Sequence, residues 1–299
     1  MDEFTTNLIA GVIGGFGGKS AEVLWGGGAK LLGLRKHLQK AEENAIVRAG
    51  AMLELLSSRI QRLENEAQLN REFIEGAFDE PDLAKLLKQA MQAAASTPSN
   101  EMHEILAALV AERITTPHQS SEAILCGLAC TAISQATPLH VQLMGSMATI
   151  ALTDPILLEK PLMKDDRPYL EELRAWFEVN MSGFPELCAS PLDIDFMRVI
   201  NCVSDSGVQT ARVNKTPRGI ATVITFAGYD VPLRDFEQWP GGSNMRDFLY
   251  MPSSSARLTP VGQVIGSLVV NLRRGTRITY KDFDDNEKFR FRSRFPRSK

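Results

Sequence analysis

The sequence predicts a mainly α protein with a small α+β unit at its C-terminal end. Three observations predict it: a long apolar heptad pattern after residue 36, a series of shorter helical patterns with marked starts, and a β-branched, turn-rich stretch after residue 210. We therefore expect a long N-terminal helix, a helical-bundle core and a C-terminal α+β domain. The expected segments are 1–35, 36–78, 79–210 and 211–299.

The composition excludes disorder as the default state. The chain has 299 residues, of which 44% are hydrophobic and 23% are charged, as is ordinary for a globular protein. Its formal net charge of -3 is unevenly distributed, because residues 273–299 hold ten Lys/Arg against four Asp/Glu. A basic tail on an acidic body favours an anionic partner for the tail.

Residues 7–34 form a segment with nine glycines among apolar residues. Such a glycine density disfavours a free helix in water, whereas small residues four positions apart allow helices to approach closely in lipid. Two interpretations stay open: a conditional membrane-inserting or oligomerising segment, and a mobile or packed N-terminal arm. The candidate residues of the first are Gly11, Gly14, Gly15, Gly18 and Trp25.

The pattern from residue 36 to about 76 predicts a long helix. Its apolar residues recur at alternating spacings of three and four, which is typical of a coiled-coil seam. The seam must be covered, either by a second copy of the chain or by another helix of the same chain. It consists of Ile46, Ala49, Leu53, Leu56, Ile60 and Leu63, and continues to Ala67.

The section from 80 to about 205 reads as shorter helices packed into a compact helical domain. Thr97-Pro98, Thr137-Pro138 and Ser190-Pro191 each offer a capping hydroxyl followed by a proline. Proline is tolerated at the first helical position because its missing N–H would be unpaired there anyway. Each pair therefore predicts the start of a helix.

The last hundred residues predict strands around 219–226 and 246–251 and a helix that begins at Thr259-Pro260. A winged-helix-like domain is one form of such an α+β unit, and a plain short hairpin is another. The tail that follows alternates cations with phenylalanines, and its anion-binding candidates are Arg290, Arg292, Arg294 and Arg297. Nucleic acid and an anionic membrane surface both fit this chemistry, as does a strand whose phenylalanines pack on the protein.

No catalytic, cofactor or metal site is expected from spacing. The four histidines are scattered singly, and the four cysteines form no C-x-x-C pair, so buried reduced thiols of a cytoplasmic protein are favoured. The glycine stretches do not match a phosphate loop. Asp193 and Asp195 are interpreted as a pair in the first turn of a helix, where the macrodipole favours acids.

Two stretches of the chain resemble the bacterial abortive-infection alpha-type proteins, a phage-defence family. They are Phe73–Ala77 with Glu80-Pro81-Asp82, and the helix Ser99–Ile114; Arg257–Gly262 is similar to a C-terminal element of that family. The resemblance implies a role in phage defence, by self-limiting toxicity or by sensing infection. It supplies no catalytic residues.

The expected function is therefore a non-catalytic defence effector or sensor that acts through oligomerisation and membrane engagement of the glycine-rich segment. Its expected partners are further copies of itself, a protein of a defence system, and an anionic membrane or nucleic acid at the tail. The alternative is a nucleic-acid-binding regulatory module that uses the C-terminal domain and the basic tail.

Overall fold

The structure is a computed structural model that describes residues 34–65, 70–153, 167–181, 183–184, 187, 189–205, 211–215, 221–226, 229–239, 242 and 256–283. It confirms a mainly α chain with a small α+β unit. The chain divides into two compact units between Gln135 and Ala136.

The first unit is a bundle of helices. These are α1 (Leu34–Asn65), α2 (Arg71–Phe78), α3 (Pro81–Ser96), α4 (Asn100–Thr115) and α5 (Ser121–Gln135). Helix α4 packs against the other four or their ends, because α1, α2, α3 and α5 all contact it. Its Ile105, Leu106 and Leu109 are completely buried, so α4 is apolar on most sides, as expected for a central helix.

Helix α1 covers its apolar seam with helices of its own chain. Ala49, Leu53, Leu56 and Ile60 are all at most 9% exposed, and α1 packs on α3 and α4. An apolar stripe needs cover, and of the two partners that the sequence left open, a second copy or the same chain, the same chain covers these four residues. Of the other two seam residues, Ile46 is 49% exposed and Leu63 is half-buried.

The single long helix expected over residues 36–76 is divided. Helix α1 ends at Asn65, and α2 begins at Arg71 after Asn70, whose side chain accepts a hydrogen bond from the N–H of Phe73 at 2.7 Å. Asparagine is a strong N-cap because its side chain satisfies one of the unpaired donors of the first turn. Ala67 of the seam lies outside the described residues.

Two of the three predicted helix starts in the middle of the chain are confirmed and one is wrong. Helices α6 and α8 of the second unit begin at Pro138 and Pro191. Thr97-Pro98 does not start a helix; Thr97 follows the end of α3, and Ser99 caps α4 by accepting from the N–H of Met102 at 3.4 Å.

The second unit combines helices with two small sheets. Its elements are α6 (Pro138–Thr153), α7 (Arg167–Asn180), α8 (Pro191–Val199), β1 (Val203–Asp205), β2 (Ala211–Lys215), β3 (Ala221–Phe226), β4 (Tyr229–Pro232), α9 (Leu233–Phe236), β5 (Ala256–Leu258), α10 (Pro260–Arg274) and a 3₁₀ turn (Tyr280–Phe283). Helices α6 and α10 approach very closely. A Cβ on Gly145 would lie 2.3 Å from Cγ1 of Val269, and one on Gly266 would lie 2.6 Å from Cβ of Ala148, so this contact requires glycine.

The strands form an antiparallel meander β2-β3-β4 and an antiparallel pair β1-β5. The strand predicted at 219–226 is confirmed as β3, as is the helix start at Thr259-Pro260. The strand predicted at 246–251 lies outside the described residues. The expected boundaries at 78 and 210 differ from the observed division after Gln135. Residue 78 is not a boundary because α1 packs on α3 and α4, and residue 210 is not one because Val203 pairs with Leu258.

Candidate functional site

A polar cluster of four side chains lies at one end of the first unit. Glu80 is at the N-cap position of α3, where its side chain makes no capping hydrogen bond, and Asp82 belongs to the first turn of that helix. Arg113 lies in the last turn of α4, and His118 lies in the turn between α4 and α5. Acidic side chains are favoured at the start of a helix because the macrodipole is positive there. We call these four residues the Glu80 cluster.

Arg113 is the buried centre of the Glu80 cluster, with a side chain that is 3% exposed. Its Nη2 lies 2.7 Å from Oε2 of Glu80 and 2.7 Å from Oδ2 of Asp82, and its Nη1 donates to the carbonyl of Thr116 at 3.2 Å. A buried guanidinium is tolerated only with such partners. The hydrogen bond from Arg113 lowers the pKa of Asp82, despite partial burial of the carboxyl.

The open side of the Glu80 cluster combines one imidazole with two carboxylates. Nδ1 of His118 lies 3.1 Å from Oε2 of Glu80 and 3.5 Å from Oδ1 of Asp82, and their side chains are 45%, 28% and 47% exposed in that order. One ligand atom from each lies within 4.8 Å of the other two. Among the described residues, this is the one group of three or more His, Cys, Asp or Glu side chains that has such geometry.

A second polar cluster lies in the second unit and is mostly buried. Nε2 of His140 lies 3.1 Å from Oδ1 of Asp193, while Nδ1 of His140 accepts from the backbone N–H of Thr137 at 3.1 Å. Oδ2 of Asp193 accepts from the N–H of Ser190 at 2.6 Å and from its hydroxyl at 2.7 Å. We call these residues the His140 cluster.

The His140 cluster has the carboxylate, imidazole and hydroxyl of a catalytic triad, with Oγ1 of Thr137 at 3.2 Å from Nδ1 of His140. The Nδ1 lone pair already accepts the backbone N–H of Thr137, so it is not available to a hydroxyl proton. Burial acts to raise the pKa of Asp193, but the hydrogen bonds from Ser190 and the contact with His140 outweigh it and lower the pKa. The contact of Thr137 with His140 and the contact of Ser190 with Asp193 are therefore helix caps. Asp193 lies in the first turn of α8, as the sequence predicted.

The remaining buried reactive groups are also held in structural positions. Nε2 of His103 lies 3.1 Å from the carbonyl of Ala94 and 3.0 Å from that of Thr97, at the end of α3. Burial raises the pKa of each of the thiols of Cys126, Cys130 and Cys202 to about 12. These three thiols are consequently protonated at neutral pH and poor nucleophiles.

The residues proposed from sequence and the Glu80 cluster do not coincide. Gly11, Gly14, Gly15, Gly18 and Trp25 lie outside the described residues, as do Arg290, Arg292, Arg294 and Arg297. The one sequence signal for the Glu80 cluster is the acidic Glu-Pro-Asp helix start. Its partners Arg113 and His118 follow more than thirty residues later, and spacing rules do not cover such a distance.

Within the described residues, no helix is both long enough and apolar enough to cross a membrane. A protein-family model whose description names no activity matches residues 34–213. No curated protein and no solved structure matches the chain.

Proposed function

The chain belongs to the family whose model matches residues 34–213, and we propose its function from its own segments and surfaces. The proposed function is that of a non-catalytic bacterial phage-defence effector or sensor. It acts through oligomerisation and through membrane engagement of the glycine-rich segment, residues 7–34. Its proposed setting is the cytoplasm, with association at the membrane on activation.

The observation that carries this proposal is where the family match begins. The match starts at residue 34, so only the last residue of the glycine-rich segment falls within it. The shared part is thus the packed helical body together with the start of the second unit, and the glycine-rich segment precedes it. The glycines suited to helix packing therefore lie in a segment outside the part that the family shares. This arrangement suits a separate, conditional role for that segment.

The roles of the polar groups support a non-catalytic mechanism. His103 and His140 bind backbone groups at helix ends, and the three described thiols are buried. Glu80 and Asp82 compensate the charge of the buried Arg113. These side chains stabilise the fold, so the proposed activity rests on binding and assembly.

Oligomerisation requires a surface other than the α1 seam, which is covered by α3 and α4. Ile124 and Leu128 are 62% and 47% exposed, and they lie one turn apart on α5. The one charged residue of α5 is Glu122. We propose that this apolar face joins a second copy of the chain. Sedimentation of Ile124→Asp, with Glu122→Gln as the matched control, tests the point, and an unchanged sedimentation coefficient of Ile124→Asp contradicts it.

The membrane role is tested by expressing the full chain and a chain without residues 1–33 in bacteria, with and without phage. We expect the full chain to arrest growth and depolarise the membrane, and the shortened chain to do neither. Gly14→Ile with Gly18→Ile should abolish the effect because larger side chains keep helices apart. Gly17→Ile is the matched control, because Gly17 is in neither of the two pairs of glycines four positions apart, Gly11 with Gly15 and Gly14 with Gly18. Equal toxicity of the full and shortened chains contradicts the proposal.

A second candidate function, nucleic-acid binding, is favoured by the end of α10. Arg273 and Arg274 end the helix, Arg277 and Lys281 follow it, and all four are exposed shortly before the basic tail at 288–299. Arg273 and Arg274 also donate hydrogen bonds to Gln142 and Asn180. Phosphate contacts by such residues make affinity fall steeply with salt. A gel-shift titration should therefore show salt-sensitive binding that weakens when residues 288–299 are deleted. Binding that is absent, or insensitive to salt, contradicts this candidate.

A further inference from the structure

We propose that Glu80, Asp82 and His118 bind a divalent transition-metal ion of the zinc type. The three side chains come from two separate places in the chain, the start of α3 and the turn after α4. An imidazole nitrogen combined with two carboxylate oxygens is a ligand set that zinc accepts readily. This site is independent of the glycine-rich segment and of the basic tail.

The two distances from the imidazole nitrogen to the carboxylates fit such an ion, and the two carboxylate oxygens lie within 4.8 Å of each other. Metal–ligand bonds of about 2.0–2.1 Å in a tetrahedron place neighbouring ligand atoms about 3.3–3.4 Å apart. The two separations from Nδ1 of His118 are 3.1 Å and 3.5 Å, to Oε2 of Glu80 and Oδ1 of Asp82. Only small side-chain movements are needed to admit the ion. All three side chains are part-exposed, so it can enter from solvent.

Arg113 acts as a positioning residue for this site. It contacts Oδ2 of Asp82 at 2.7 Å, which leaves Oδ1 directed at His118. Hydrogen bonds to ligating carboxylates hold them in orientation in metal sites generally. The guanidinium also opposes the charge of the ion, but two carboxylates against one guanidinium still leave a net negative charge before the ion binds.

The ligand set distinguishes between classes of ion. Calcium takes six to eight oxygen ligands, and magnesium prefers octahedral oxygen coordination with several waters. One nitrogen and two carboxylates satisfy neither, whereas three protein ligands with a fourth position for water are common for zinc. Zinc and its spectroscopic substitute cobalt are therefore the probes of choice.

The test uses the full chain without a polyhistidine tag, after removal of metals with a chelator. Cobalt(II) is added while visible absorption is recorded, and zinc is then added in competition. We expect one equivalent of cobalt to give the intense bands of a four-coordinate ion and zinc to displace it. His118→Ala should weaken binding at least about tenfold, because it removes the nitrogen ligand. The matched control is His37→Ala, which should bind as the unchanged chain does.

Asp82→Asn provides a second variant that keeps the size of the side chain. Circular dichroism establishes whether this variant is folded, and a folded Asp82→Asn protein should also bind at least about tenfold more weakly. The His118 side chain is 45% exposed, so its replacement should leave the fold intact, and its effect on binding tests the proposal without Asp82→Asn. The proposal is overturned by the absence of cobalt-dependent bands, or by equal affinity of His118→Ala and the unchanged chain. In either case the imidazole and the carboxylates form a polar contact without a metal.

Discussion

The Glu80 cluster and the His140 cluster use the same groups with opposite burial. Each contains an imidazole that lies 3.1 Å from a carboxylate at the start of a helix. The His140 side chain is 7% exposed and both its nitrogens have partners within the fold, whereas the His118 side chain is 45% exposed. In the Glu80 cluster the buried group is the guanidinium of Arg113 instead.

Because of this difference in burial, the His140 cluster has a structural role, whereas the Glu80 cluster has groups available to a ligand. A buried imidazole must satisfy its nitrogens internally, and His140 does so through two helix caps. An exposed imidazole exchanges its partners for water at little cost. The same residue types consequently stabilise the second unit in one place and leave ligand atoms at the surface of the first unit in the other.

The largest expected effect is on Arg113 when both its counter-charges are removed. Glu80→Gln combined with Asp82→Asn leaves a buried guanidinium without an opposing charge, and we expect a loss of about 3 kcal/mol in the free energy of unfolding. The measurement is urea unfolding followed by far-ultraviolet circular dichroism, since residues 34–135 contain no tryptophan. Asp195→Asn, which removes an exposed partner of Arg198, is the control and should cost under about 1 kcal/mol. If the double variant lost as little free energy of unfolding as the control, the charge-compensating role of Glu80 and Asp82 would be contradicted.

The next effect is the removal of the buried imidazole. His140→Ala removes the partner of the Thr137 N–H and of Oδ1 of Asp193, and it removes the stacking on Phe196, whose ring centroid is 4.8 Å away. We expect a loss of about 2–3 kcal/mol. Tryptophan fluorescence reports on this unit because Trp176 and Trp239 are both buried in it. An unfolding midpoint that does not change would show that the cap is dispensable.

A smaller effect is expected from acid. The folded-state pKa of Asp193 lies below the ordinary value, which is about 3.9 for an unfolded chain. Its contribution to stability is therefore complete above about pH 4–5 and is lost as the pH falls through the folded-state pKa. Urea midpoints between pH 2 and 7, measured for the unchanged chain and for Asp193→Asn, should diverge above pH 4. Parallel curves would contradict the assignment.

The smallest effect is expected from His118→Ala in the absence of metal. Its imidazole is exposed and pairs with part-exposed carboxylates, so the loss should stay under about 1 kcal/mol. Comparison with His140→Ala in the same buffer sharpens the contrast between the clusters. A loss equal to that of His140→Ala would show that exposure does not separate them.

Much of the fold could be predicted because the signals are local. The heptad spacing of α1 indicated a helix and its apolar face, and the hydroxyl-proline pairs placed the starts of α6, α8 and α10. Thr97-Pro98 misled because Ser99, two residues later, supplies the cap. The short strands β1, β2, β4 and β5 were not predicted. Strands β1 and β5 have three residues each, and β4 is four residues long and includes a proline, so they give little strand signal.

The partner of each apolar face was beyond local signals. The seam of α1 would look the same whether a second copy or α3 and α4 covered it, because periodicity shows that a face is apolar and not what packs there. For the same reason, the sequence could not show that Ile124 and Leu128 are exposed. Helix α5 is apolar nearly all round, so the sequence does not distinguish its buried face from its exposed one.

Residue order alone determined where most helices lie, that the C-terminal part contains strands, and which residues cap several helix starts, because these depend on neighbours within about four positions. Only the tertiary structure decided that the α1 seam is internal and that His118 meets Glu80 and Asp82 beside Arg113. Those contacts join residues more than thirty positions apart. Their geometry depends on how helices pack together, which local pattern does not specify.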